Sequence, residues 1–314
     1  MTHTFSCSAD APLVRTTGGS VRGYRFDGLD IFKGIPYAKA RRFHAPEPAV
    51  WDGVLDATSY GYVCPLLEMP KPNGEMLVPH RYWLMAEACQ NLNIWTPALD
   101  DAHRPVLVWL HGGGYIAGMK KMVHASRAVD LVKKFGAVVL SPGYRLALKA
   151  PYPAAIDDCY AALLYLKAHA AAFGVRSDQL MVGGESAGGG LCAAVCIRAR
   201  DEGKVSVAFQ MPLYPMLDDR DTESSRDNRG RVWNTRRNHF AWRLYLRGTD
   251  RAQLSPYAAP ARLTDFSHLP PAYSFVGDGE PFYAEAVRYF ERLRAAGVPA
   301  ELDVYHSDMH AFDM

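Results

Sequence analysis

The sequence lacks a long apolar run, a dominant charge and a cysteine framework. A membrane-spanning helix needs about 18–20 consecutive apolar residues. Stretches such as 106–110 fall far short of that. The N-terminal MTHTFSCSAD has no basic segment leading into an apolar one, so no secretory leader is visible and a cytoplasmic location is expected. Lys and Arg number 35 against 33 Asp and Glu, a net charge of +2, which gives no electrostatic case for nucleic acid or a membrane as partner. Six cysteines in 314 residues do not make a disulfide scaffold. H-E-x-x-H, C-x-x-C and dinucleotide fingerprints are all missing, so no metal and no organic cofactor is expected. Oligomeric state leaves no signature. What remains is an ordinary globular composition, long enough for two domains or one large α/β domain.

No repeat or flexible linker divides the chain. The first 100 residues read as β-rich and irregular. Residues 13–17 and 21–26 flank a Gly18-Gly19-Ser20 turn, which predicts a hairpin. Residues 44–80 are proline-rich and without period, which predicts a wrapping loop. From Leu92 the pattern changes. Strands are predicted at 92–96, 106–110, 137–140, 180–182, 206–211, 272–276 and 300–305. Helices are predicted at 123–135, 154–172, 187–202 and 282–296. That alternation implies a mostly parallel sheet with helices on both faces. Residues 212–250 break the rhythm with Trp233, Trp242 and nine arginines, counting Arg251 just beyond. They read as a solvated helix and loop, or as a lid over a pocket.

The sharpest motif is Gly184-Glu185-Ser186-Ala187-Gly188, between an apolar strand and a small-residue helix. A serine nucleophile needs this tight strand-to-helix turn, and the flanking glycines let strand and helix approach. The helix N-terminus favours developing negative charge. A second motif, His111-Gly112-Gly113-Gly114-Tyr115, follows the strand at 106–110. Acyl transfer requires backbone N–H donors aimed at an oxyanion, and a glycine run keeps side chains out of the way. His111 reads as a brace for that loop.

A serine needs a base and the base needs an orienting acid, in the chain order Ser, Asp/Glu, His. His310 lies in the loop after the strand at 300–305 and is the candidate base, with His306 as runner-up. His239 and His268 read as surface or capping residues. Asp278 and Glu280 both lie just beyond the strand at 272–276, and spacing alone does not choose between them.

HGGGY, GESAGG, YRLA with PYPAAIDD, and the segment 273–312 together resemble the hormone-sensitive-lipase-like branch of α/β-hydrolase esterases, over residues 105–312. In that branch a D-P-L/F acid precedes an H-G-F histidine by about thirty residues. The matching positions here are Glu280-Pro281-Phe282 and His310-Ala311-Phe312, so the resemblance implies Glu280 as the acid, with glutamate in place of aspartate. It implies the N–H groups of Gly112, Gly113 and Ala187 as oxyanion donors. Further toward the N-terminus, FKGIPYA, Arg42-Phe43, Trp51, Cys64, Glu87, Cys89 and NLNIWTP resemble type-B carboxylesterases. That resemblance implies an Arg42–Glu87 ion pair and a Cys64–Cys89 disulfide. Cys159, Cys192 and Cys196 read as core.

The expected protein is therefore one α/β-hydrolase domain over 1–314, with a type-B-like N-terminal extension at 1–90 and a cap at 212–250. Its expected activity is serine carboxylesterase, acting on small esters of short to medium acyl chain. Ser186, Glu280 and His310 form the triad, and Tyr115 and Trp83 are candidates to line the pocket. An amidase, lactonase or carbamate hydrolase on the same triad is one alternative. A non-catalytic cholinesterase-like binding protein is another. The chain stops four residues after His310, where relatives of this kind continue into a final helix, so that helix is expected to be absent or the sequence to be part of a longer chain.

Overall fold

The computed structural model describes residues 5–6, 12–16, 18–39, 44–62, 64, 89–100 and 102–314. They fall into two compact units, each drawn from three stretches of chain. The first takes the described residues of Met1–Trp109 with Met119–Arg145 and Asp157–Leu180. The second takes Leu110–Gly118, Leu146–Ile156 and Met181–Met314.

In the first unit the strands are β1 (Phe5–Ser6), β2 (Tyr24–Phe26), β3 (Leu29–Pro36), β4 (Asn91–Thr96), β5 (Arg104–Leu110) and β6 (Val138–Pro142). Their order is β1-β2-β3-β4-β6-β5. The first four strands join antiparallel, as does β4 to β6, whereas β5 and β6 are parallel. A parallel pair needs a crossover. Helix α1 (Ala128–Phe135) supplies it and ends at Gly136, whose φ of 66° makes a left-handed cap. All six residues of β4 are buried, as a strand covered on both faces requires.

The hairpin forms with a tighter turn than its sequence suggests. Leu13–Thr16 pairs antiparallel with Gly19–Arg22, so Gly19 and Ser20 already belong to the second strand. The predicted strand 21–26 is also broken at Gly23, and its two halves join different sheets. A Cβ at Gly23 would lie 2.3 Å from the Ile31 carbonyl oxygen, so only glycine fits the break. Cys64 and Cys89 are buried reduced thiols, without the disulfide that the type-B resemblance implies. A hydrogen bond with Cys64, together with burial, pushes the Cys89 thiol well above its ordinary value. A thiol held protonated is a poor partner for disulfide exchange. Arg42 and Glu87 lie outside the described residues. Asp158, within helix α2 (Ala154–His169), forms a buried bidentate pair with Arg145, with Nη2 2.7 Å from Oδ1.

The second unit holds four parallel strands in chain order. They are β7 (Val175–Glu185, whose first residues belong to the first unit), β8 (Phe209–Leu213), β9 (Ala272–Gly277) and β10 (Ala300–Tyr305). Helix α3 (Ala187–Glu202) follows β7, and α4 (Thr235–Tyr245) lies between β8 and β9. Helix α5 (Tyr283–Ala295) follows β9. Ala193 and Ile197 of α3 meet Tyr289, Phe290 and Leu293 of α5 in one buried cluster with Leu217, Leu263, Phe266 and Leu269. Each large apolar side chain buried there contributes about 1.5–3 kcal/mol relative to exposure. This packing fixes the strand ends at which functional residues stand. No helix among the described residues is long and apolar enough to cross a membrane.

Candidate active site

Ser186 occupies the turn between β7 and α3 with φ 58° and ψ −120°, a conformation that strains a non-glycine residue. Three backbone hydrogen bonds hold it there. Its N–H donates to the Leu213 carbonyl at 3.0 Å, and its own carbonyl accepts from Gly190 and Met216, each at 3.0 Å. The flanking glycines have steric reasons. A Cβ at Gly188 would come within 2.0 Å of the Leu110 carbonyl oxygen, and one at Gly184 within 2.5 Å of the Gly188 carbonyl oxygen. Three consecutive glycines near the start of α3 cost helix propensity of about 1 kcal/mol each. They let the helix press onto the strand ends instead.

The loop after β10 brings the His310 ring to Ser186, with Nε2 2.9 Å from Oγ. The other ring nitrogen, Nδ1, meets Oε2 of Glu280. An ionised carboxylate only accepts hydrogen bonds, so Nδ1 carries the proton and Nε2 offers its lone pair to the serine hydroxyl. Glu280 has no exposed surface and His310 only 4%, so the chain of hydrogen bonds is shielded from water. Oε1 of Glu280 accepts from the Gly277 N–H at 3.4 Å.

The two competing candidates meet each other instead. Nδ1 of His306 lies 2.9 Å from Oδ2 of Asp278, on the exposed surface. The hydrogen bond to His306 lowers the Asp278 carboxyl, and the same bond raises the His306 imidazole. His239 pairs with Asp221 at 2.7 Å, and His268 is exposed.

The glycine loop lies against the serine turn. A Cβ at Gly112 would be 3.0 Å from the Glu185 carbonyl oxygen and 3.2 Å from the Ser186 Cβ. Gly113 has φ 115°, and its carbonyl accepts from Ile116 and Ala117, which closes the loop. The His111 ring braces it through Nδ1 to the Gly112 carbonyl at 2.8 Å. Ala187 is the first residue of α3, where amide hydrogens have no carbonyl within the helix to accept them. Tyr115 is 1% exposed, donates its hydroxyl to the Met216 carbonyl at 2.8 Å and stacks on Tyr245 at 4.1 Å. These contacts tie the end of the loop to Met216 and Tyr245. Trp83 lies outside the described residues.

Three aromatic rings contribute as well. Tyr214 and Phe282 hold the His310 ring from two positions, edge to face, with centroids 5.1 and 5.0 Å away. Trp233 lies so close to Gly114 that a Cβ there would be 2.2 Å from its ring. Among the described residues no cluster of His, Cys, Asp and Glu is arranged to hold a metal.

Comparison with known proteins identifies the family. The family model described as alpha/beta hydrolase fold matches residues 107–314. Esterase LipI of Mycobacterium tuberculosis is 34% identical over 221 residues, covering 69% of each chain. Carboxylic ester hydrolase LipN of the same organism is 35% identical over 312 residues, covering 96% of this chain and 76% of LipN. The solved structure of a bacterial heroin esterase matches with a TM-score of 0.66 and 37% identity, covering 70% of this chain and 72% of that one. The chain belongs to the α/β-hydrolase fold family, in its hormone-sensitive-lipase-like branch.

Proposed function

We propose that this protein is a serine carboxylesterase acting on water-soluble esters of short to medium acyl chain. The supporting observation is the hydrogen-bond chain from Ser186 through His310 to Glu280. In this reading Nε2 of His310 takes the Ser186 proton as Oγ attacks the ester carbonyl. The oxyanion forms beside the amides of Gly112, Gly113 and Ala187, whose donors cost no reorganisation when charge appears. Glu280 holds the imidazole tautomer and stabilises the imidazolium. His310 then passes the proton to the departing alkoxide. Water enters, gives its proton to His310, and releases the acid from Ser186. An acyl-enzyme on Ser186 follows from the same steps.

Fluorophosphonate labelling combined with an acyl-chain series of 4-nitrophenyl esters tests the proposal. The wild type labels at Ser186 and turns over acetate to hexanoate esters. Ser186→Ala does neither, with turnover lower by on the order of 10⁴–10⁶. A folded wild-type protein that neither labels nor cleaves any of these esters overturns the reading.

A further inference from the structure

The second unit has a cavity of about 1100 Å³. Ile116, from the glycine loop, forms part of its wall together with Trp233 and Phe240. Trp233 ties it to the catalytic group, lying over Gly114 and 6.4 Å from the Phe282 ring that holds His310. Asn234 and Thr235 add neutral polar groups to the wall, Arg236, Arg237 and Arg243 project from α4, and among the described residues no carboxylate lines the cavity. His239 also borders it and is already paired with Asp221. Arg237 uses Nη1 on the Arg231 and Val232 carbonyls. Among the described residues, neither Arg236 nor Arg243 has a carboxylate partner. Arg243 lies 5.7 Å from the centroid of the Phe240 ring.

This concentration of charge opposes local stability. Between 226 and 247 the sequence has seven arginines and one carboxylate, Asp227. Arg236 and Arg237 stand in the first turn of α4, which has no acidic residue. The positive end of the helix dipole disfavours cations there. Arg237 is compensated there by the Arg231 and Val232 carbonyls, but among the described residues Arg236 is not, and a local rule broken without a structural gain points to function.

We propose that this face of the cavity binds an anionic group on the substrate, so that the preferred esters carry a carboxylate away from the scissile bond. Guanidinium groups match a carboxylate in two-pronged geometry, while the aromatic floor covers the intervening carbons. A carboxylate suits the site better than a phosphate dianion. Charge hydration scales with the square of the charge, so a dianion loses roughly four times as much on reaching an apolar floor. The inference rests on the esterase reading, and the test separates the two.

The probes are matched ester pairs. One places the charge on the acyl side: 4-nitrophenyl hemiglutarate against its methyl ester. The other places it on the alcohol side: 4-acetoxybenzoate against methyl 4-acetoxybenzoate. At low salt we expect kcat/KM for the charged member of at least one pair to exceed that of its neutral partner about tenfold. The ratio should shrink toward unity at 1 M salt, where the Debye length falls to about 3 Å. In Arg236→Gln/Arg243→Gln it should be near unity at low salt. Reading a ratio within each protein cancels any loss of folded enzyme. Neutral esters cleaved with no charged preference in either pair, or a preference unchanged by salt and by the double substitution, overturns this inference alone. No cleavage of any ester, charged or neutral, overturns the esterase reading beneath it.

Discussion

At the scale of single residues, two carboxylates two positions apart have different surroundings. Glu280 is fully buried against His310, while Asp278 sits at the surface against His306. Glu280→Gln removes the negative charge and lets an amide N–H face Nδ1, which favours the wrong imidazole tautomer, and a loss of about 10⁴ in kcat is expected, the scale seen when a triad acid becomes an amide. Asp278→Asn should leave kcat within a few-fold. A large loss on Asp278→Asn with Glu280→Gln near normal would reverse the roles. The exposed pair has its own signature. The His306 imidazole should titrate above 6.5 by NMR and return toward it in Asp278→Asn. Ser186 and His310 stand out in the sequence because each follows an apolar strand within a few residues, whereas Glu280 is set apart from Asp278 only by the resemblance of Glu280-Pro281-Phe282 to a family motif. Tyr214 carries no sequence signal, and Phe282 and Trp233 appear only within a motif and an arginine-rich segment that give them no role of their own. Their roles depend on which ring faces them across the fold, and neither period nor motif encodes that.

At the scale of elements, the connection after β8 links most of the site. Met216 donates to the Ser186 carbonyl and accepts from Tyr115, while Tyr214 meets His310. Helix α5 anchors this connection through Glu285, whose Oε1 accepts from the N–H groups of Leu217 at 2.6 Å and Asp218 at 3.2 Å. Burial pushes the Glu285 carboxyl well above its ordinary 4.5. The folded state therefore holds a proton that the unfolded state releases above about pH 4.5. Stability is fully present below that value and falls as pH rises toward the folded pKa. Glu285→Gln keeps the acceptor and removes the titration. Melting temperatures of the two proteins should be similar near pH 4.5, with the variant ahead as pH rises. Parallel curves across that range would count against a buried protonated carboxyl. Strand and helix positions were legible from β4 onward because buried runs alternate there with helical periods. The break at Gly23 was not, since it depends on the approach of Ile31 from another strand.

At the scale of the whole molecule, the two units interleave along the sequence, each made of three stretches. No composition shift marks their borders, so the sequence reads as continuous. The left-handed backbone at Ser186 bears on the stability of the whole chain. A non-glycine residue held there costs on the order of 1–3 kcal/mol. Glycine would relieve that strain, offset by about 0.4–1 kcal/mol of extra freedom in the unfolded chain. Of two inactive variants, Ser186→Gly should therefore melt higher than Ser186→Ala, by roughly 1–4 °C for a protein of this size. Equal melting temperatures would mean that the turn is not strained. A higher melting point for Ser186→Gly would mean that the wild type sits below the heat resistance its own fold allows, and that the margin is lost at the proposed nucleophile.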